Sequence, residues 1–355
     1  MADQLATYAR TLQRYVDGND ALRCAIGASP EDSLRLSPLG EGEHNVNLKL
    51  DVVRTHATDA CAKARRDASY VLRVNVLPQP FHADQVRYEY DALRCVAPSG
   101  CTPLPLFLDG SESAPGEGVL VEAFCPGPEL DFDALAPDDL VRAAHIMAAY
   151  HAVPVPESCT LHRPADPLRE LFQECCERFD LYRASAFEDA RVTRWAERLC
   201  ALTARAIDQA GEPDDAAHIV NTEPLASHFL LPRGSDSGWF VDWERPIVGE
   251  VAQDLAFFLA PTTTFWDSSY LFPRADISAF LDAYWDAVDG RFERGRSDER
   301  FSAWMKVSVL RAVAWCCKAL IRYGGSDEHQ TDKTAKKLPI YLSDGFLEML
   351  MDECF

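Results

Sequence analysis

The sequence is poor in lysine, in paired cysteine motifs and in long apolar runs, and each shortage excludes a class of protein. Only seven of the 35 basic residues are Lys. Acidic residues number 56, so the formal net charge is −21. A surface of that sign repels nucleic acid and anionic membranes, so neither is an expected partner. The acidic, Lys-poor composition fits a salt-adapted cytosol, although a GC-rich genome also gives Arg for Lys. Twelve cysteines are present, yet no Cys-x-x-Cys occurs, and Cys175-Cys176 and Cys316-Cys317 are adjacent pairs within helical patterns. At 355 residues the chain is far above the length at which small secreted folds need disulfide staples. Reduced, mostly buried thiols are therefore expected rather than disulfides or a zinc site. No stretch approaches the ~18 apolar residues of a membrane span, and the first sixteen residues are too polar for a signal peptide. A cytoplasmic location is the expectation. Neither an internal repeat nor a low-complexity segment is visible, and nothing in the sequence speaks to oligomeric state.

What is present suffices for a sizeable core. Hydrophobic residues make up 47% of the chain, enough for two modest domains or one bilobal unit. Leu5, Tyr8, Leu12 and Tyr15 form a helical stripe within residues 3–25, which Ser29-Pro30 ends. Strands are expected at Leu34–Leu39, Val46–Val53, Tyr70–Val76, Leu104–Leu108 and Gly118–Phe124, with one helix over Asp84–Val96. A polar turn containing Gly40, Gly42 and Asn45 joins the first two strands, and a polar hairpin spans Thr55–Asp67. Cys125-Pro126-Gly127-Pro128 punctuates the chain, and the remaining C-terminal portion reads as mainly helical. Asp138–His151 is an amphipathic helix whose terminal His151 reads as a cap or a packing residue. Trp195, Trp304 and Trp315 stand at helical spacings and read as core.

The stretch from His218 to Pro261 carries the chemistry. Short strands are expected at His218–Asn221, Phe229–Pro232 and Trp239–Asp242, the last ending in an acid. Val251–Leu259 is an apolar run with Asp254 near its start. Phosphoryl transfer requires a carboxylate beside the attacking hydroxyl, a metal-binding side chain a few residues on, and a second carboxylate that holds the metal against the phosphates. Glu223, His228 and Asp242 stand in that order.

These residues resemble the signatures of the aminoglycoside phosphotransferase and choline kinase-like family, which shares the protein-kinase fold. Val241-Asp242-Trp243-Glu244 and Asp254-Leu255-Ala256 match the family's Ile-Asp-Trp-Glu and Asp-Leu-Ala segments. Asn221-Thr222-Glu223-Pro224-Leu225-Ala226-Ser227-His228 keeps the spacing of the family's catalytic loop, with Glu223 for its Asp and His228 for its Asn. The chain is similar in particular to an Asn-Thr-Glu subgroup whose helix runs into Pro-Thr-Thr-Thr-Phe-Trp, as Pro261–Trp266 does here.

The resemblance implies an α+β, protein-kinase-like bilobal fold. It comprises a small antiparallel-sheet N-lobe with one helix (34–126) and a larger, mainly helical C-lobe (127–355), with residues 1–33 as a helical extension. ATP would bind between the lobes with Mg²⁺, or with Mn²⁺. Gly40, Gly42, Asn45 and Asn47 would lie near the nucleotide. Arg73 would take the place of the family's phosphate-holding Lys, paired to Glu89, and Glu122 and Phe124 would form the link beside the adenine. Glu223 would act on the substrate hydroxyl, Asp242 would hold the metal, and His228 would occupy the second metal position. Imidazole suits softer ions than Mg²⁺. Asp254 would brace the catalytic loop rather than take part in chemistry. Two readings stay open: a kinase for a small hydroxylated metabolite, and a nucleotide-binding pseudokinase. A third reading, another transferase on the same fold, is disfavoured, and a protein kinase is discounted on spacing, because eleven residues between Asp242 and Asp254 leave no room for an activation segment.

Overall fold

A computed structural model describes residues 2–41, 45–54, 68–76, 84–213, 217–325 and 332–355, with side chains omitted for 2–9, 41 and 332. Gly42 and the hairpin at 55–67 lie outside the described residues. Two compact units emerge. The first comprises residues 1–127, 156–161 and 239–244; the second comprises 128–155, 162–238 and 245–355.

The first unit is built on a five-stranded antiparallel sheet in the order β1-β2-β3-β5-β4. Its strands are β1 (Ser33–Glu41), β2 (Asn45–Val53), β3 (Ala68–Asn75), β4 (Pro105–Asp109) and β5 (Gly118–Ala123). Alternation along β2 sends Leu48, Leu50 and Val52 to one face, where they meet Leu72, Val74, Val119 and Val121. Each such side chain, fully buried, contributes about 1.5–3 kcal/mol. Helices α1 (Ala2–Gly18) and α2 (Asp20–Ala25) cover this face through Leu12, Val16 and Leu22. The expected single N-terminal helix is split because Asn19 caps the second one, its side chain accepting from the Leu22 N–H at 2.9 Å. Helix α3 (Gln85–Val96) begins at Asp84, whose carboxylate accepts the Arg87 N–H at 3.0 Å, and it buries Gln85 and Glu89 alongside its apolar residues.

The second unit is mainly helical: α4 (Asp139–His151), α5 (Pro167–Arg183), α6 (Ala190–Ala210), α7 (Val251–Leu259), α8 (Pro261–Asp267), α9 (Arg274–Val288), α10 (Ser297–Gly324), α11 (Asp332–Tyr341) and α12 (Asp344–Cys354). Helix α10 is buried nearly all round, from Arg300 to Ala319, and α5, α6 and α7 pack on it. Trp304 is fully buried there, with Trp195 and Trp315 partly so. Short strands β6 (His218–Val220) and β9 (Ile247–Gly249) pair antiparallel. The strand entering the functional stretch therefore stops at Val220. The strand expected to reach Asp242 (β8, Trp239–Phe240) also stops early, because Asp242 takes φ 69°, a left-handed conformation no strand accommodates. The remaining short strand, β7, is Phe229–Leu230.

Candidate active site

In the first unit, Arg73 lies on β3 opposite Asn47 of β2 and Leu120 of β5. A cation amid Val71, Leu72 and Val74 cannot shed its charge, so it must find carboxylates. Its Nε lies 2.8 Å from Glu89 and its Nη2 3.0 Å from Asp242, and it also pairs with Glu244. The ion pair expected between Arg73 and Glu89 is thus present. Buried Gln85 donates to Glu89 at 2.9 Å and to the Glu244 carbonyl at 2.7 Å, tying α3 to the loop that holds Asp242. The buried Asn45 side chain donates to Glu244 as well. Trp243 is buried between the two acids, its indole N–H donating to the Phe240 carbonyl at 3.3 Å.

Charge in this cluster is unbalanced: one guanidinium stands among the carboxylates of Glu89, Asp242, Glu244 and, further off, Glu122. Burial works against the charge on Arg73, but these acids more than offset it, and its pKa is raised. Burial pushes Glu89 up to about 8, Arg73 pulling it back and Glu244 adding to the rise. Burial likewise lifts Glu122 to about 7, against the pull of Arg73. Such a site is electrostatically suited to a further cation. Asp242 and Glu244 are oxygen donors of the kind Mg²⁺ takes. The Oδ1 of Asn47 is shielded from solvent and accepts no hydrogen bond among the described residues. No group of three or more His, Cys, Asp and Glu is arranged as a metal cage among the described residues.

The second unit carries the loop after β6. Thr222 has φ 76°, and the neighbouring Glu223 N–H donates to the Asn221 side chain at 3.2 Å. Asp254, fully buried at the start of α7, holds this loop by its backbone. Its Oδ2 accepts from the Asn221 N–H and its Oδ1 from the Thr222 N–H, both at 2.7 Å. The Tyr150 hydroxyl donates to the same carboxylate at 2.9 Å, and His151 Nε2 lies 3.2 Å away. With Nε2–H donating, His151 Nδ1 accepts from the Tyr284 hydroxyl at 2.8 Å. His151 is therefore a buried packing residue in the network behind the loop. Four donors on one carboxylate, three of them on Oδ2, commit Asp254 to holding the loop, and each bond to it is worth about 1.5–3 kcal/mol.

Glu223 itself is turned outward, its side chain 40% exposed. It pairs with Arg311 of α10, whose Nη1 donates to the Thr222 carbonyl at 2.8 Å; Arg245 Nη1 lies 3.6 Å from the same carboxylate. The Thr222 hydroxyl donates to the Arg245 carbonyl at 3.0 Å. His228 closes a short 3₁₀ turn, its N–H donating to the Leu225 carbonyl at 3.0 Å. Non-glycine residues with positive φ are costly, and among the described residues they are Thr222, Asp242 and the helix-terminating Asp289. Two of the three thus fall at the positions where the sequence places chemistry.

Of the residues singled out from sequence, Asn45, Arg73, Glu89, Glu122 and Asp242 share one electrostatic cluster, and Asn47 sits beside Arg73 in the sheet. Gly40 occupies a β-bulge opposite Asn47. Phe124 carries Lys49 over its ring at 5.2 Å, and its N–H donates to the Ser69 carbonyl at 3.3 Å. Sequence reasoning missed Glu244, Gln85 and Arg311. Glu244 was within view in the Asp-Trp-Glu segment. The signal that could have found Arg311 is a cation inside the otherwise largely apolar run Val307–Ala314 of α10.

Three comparisons bear on this geometry. A model of the phosphotransferase enzyme family matches residues 55–299. No curated protein matches the sequence. Among solved structures, a choline/ethanolamine kinase family protein from Mesorhizobium loti is similar at 15% identity and TM-score 0.61, over 96% of this chain and 97% of that one. Plasmodium vivax ethanolamine kinase is similar at 14% identity and TM-score 0.63, over 96% and 90%. A spectinomycin phosphotransferase, in complex with ADP and spectinomycin, is similar at 13% identity and TM-score 0.56, over 90% and 92%. At these identities the likeness shows the fold, which is the α+β, protein-kinase-like fold of aminoglycoside phosphotransferases and choline kinases.

Proposed function

We propose, since the chain belongs to the phosphotransferase enzyme family, that it is a small-molecule kinase transferring the γ-phosphoryl group of ATP to a metabolite hydroxyl. The observation that carries this reading is Arg73, which pairs with Glu89 of α3 and with Asp242 of the Asp-Trp-Glu segment at once. That guanidinium would reach the α- and β-phosphates as a planar fork, in an acid-rich site that favours a metal–nucleotide over a bare nucleotide. Asp242 would hold the metal, with Glu244 beside it. When bound, the metal would supply charge neutralisation on the phosphate oxygens. His228 is the proposed second metal position, where an imidazole shifts preference from Mg²⁺ towards Mn²⁺.

In the transfer, the acceptor oxygen forms a bond to the γ-phosphorus. The bond from that phosphorus to the β–γ bridging oxygen breaks, and ADP leaves with the electron pair. The hydroxyl proton passes to Glu223, whose carboxylate the Asp254-braced loop would aim. This chemistry is mostly positioning, so a carboxylate one methylene longer than Asp remains competent. Binding of ADP by the similar spectinomycin phosphotransferase supports nucleotide use here. The described cysteines are free thiols, as expected of an ATP-using enzyme in a reducing cytoplasm. No helix among the described residues is long and apolar enough to cross a membrane.

A nucleotide-binding pseudokinase is the second reading, favoured by one observation: Glu223 is already ion-paired to Arg311. The experiment that separates the two is ADP release from ATP across hydroxylated metabolites, with Mg²⁺ and Mn²⁺ in parallel. The kinase reading expects release with at least one acceptor and a fall of at least a hundredfold in kcat for Glu223→Gln. ATP-dependent stabilisation without ADP release from any acceptor gives the pseudokinase.

A further inference from the structure

The surroundings of Glu223 are the reverse of the chain's overall charge. Arg311 pairs with it and Arg245 lies 3.6 Å away. Behind them Arg178 of α5, buried, pairs with Glu174 one helical turn earlier. On α10, Lys318 and Arg322 stand seven and eleven residues beyond Arg311, so the three project from one face of the helix. Lys318 forms no ion pair among the described residues, although Arg178, Glu174, Arg245 and Arg322 are its charged neighbours. Among the described residues the cations Arg178, Arg245, Arg311 and Lys318, with Arg322 beside them, thus face the carboxylates of Glu174 and Glu223, in a chain whose net charge is −21.

The repulsion is felt by its members. Burial and then Arg178 lower the Arg311 pKa to about 10. Burial and Arg178 likewise lower that of Lys318, against the opposing pull of Glu174. Like charges gathered near a buried surface raise the free energy of the protein unless an anion joins them. A cationic acceptor, an amine or a quaternary ammonium, would add to the repulsion.

We propose that the acceptor is a small hydroxylated anion whose carboxylate or phosphate is held by Arg178, Arg245, Arg311 and Lys318, leaving its hydroxyl toward Glu223. Arg offers such an anion a two-pronged donor and Lys a mobile point charge. This assignment rests on the kinase reading for the meaning of the site, but the binding it requires occurs without transfer.

The test is isothermal titration calorimetry of the full chain, without nucleotide, against four compounds of one scaffold: glycerol 3-phosphate, glycerate, glycerol and 3-amino-1,2-propanediol. Binding of at least one of the two anions is expected, with none by the alcohol or the amine, and the tighter anion identifies the head group. Lys318→Glu, at an exposed position, should weaken anion binding at least tenfold without lowering the melting temperature, whereas Lys318→Arg should retain it. Tighter binding of the amine or of glycerol overturns the proposal. So does binding of none of the four, or anion binding that Lys318→Glu leaves intact. The kinase reading is judged separately by ADP release: anion binding with no ADP release from any acceptor would sink that reading and leave the anion-binding site standing.

Discussion

The two units solve opposite electrostatic problems around one pivotal side chain each. In the first, Arg73 stands among four acids and the cluster lacks positive charge. In the second, Glu223 lies in a patch of arginines and a lysine that lacks negative charge. Neither cluster is balanced by its own residues, and an unbalanced, partly buried cluster costs stability unless a ligand completes it. The acid-rich cluster is suited to a metal–nucleotide, and the base-rich one to an anionic acceptor. The contrast also separates two kinds of acid. Asp242 pairs with the Arg73 guanidinium and is strained in its backbone, whereas Asp254 is fully buried and accepts from four donors.

The largest effect expected from disturbing this contrast is at Arg73. Arg73→Ala should destabilise the free protein by about 3–5 kcal/mol in urea unfolding, because it leaves the Glu89, Asp242 and Glu244 carboxylates without their cation. Millimolar Mg²⁺ should restore part of the loss. A loss below about 1 kcal/mol would mean that the carboxylates are not held in excess.

A somewhat smaller effect distinguishes the units by pH. Burial and His151 lower His218 from its ordinary 6.5 to about 4. The unfolded chain therefore binds this proton more tightly. Stability from neutral His218 is complete above pH 6.5, declines as pH falls, and is lost through about pH 4. The full contribution is about 3 kcal/mol. Glu89 and Glu122 carry the opposite sign: raised from 4.5, they lower stability as pH rises towards 7 and 8. His218→Gln should flatten the acid limb of a melting-temperature profile and leave the neutral limb unchanged. A parallel shift of both limbs would contradict the assignment.

Much of this was legible from spacing. The five strands and the α3 helix followed from alternation and periodicity, and the Arg73–Glu89 pair was implied by the family resemblance. The bracing role of Asp254 was likewise implied by the resemblance of its Asp-Leu-Ala segment to the family's. Strand ends were not legible where the backbone turns left-handed at Asp242, because no residue pattern marks a strained Asp. The break in the first helix depended on one capping side chain, Asn19. Convergence from distant segments was the main gap. Arg311 lies 88 residues from Glu223, and only the packing of α10 brings them together. Residues 239–244, which carry Asp242, cluster with the sheet rather than with their chain neighbours, and no linear cut expresses that.

The central claim is that Asp242 holds a metal–nucleotide in the acid-rich cluster, and calorimetric titration of ATP into the wild-type chain and Asp242→Asn, with and without Mg²⁺, addresses it most directly. Wild type should bind ATP more tightly with the metal. Asp242→Asn should keep its melting temperature and lose at least tenfold in metal-dependent affinity, while the structural control Asp254→Asn loses melting temperature instead. Metal-dependent binding by Asp242→Asn that equals wild type, or no binding of ATP by wild type at all, would contradict the claim.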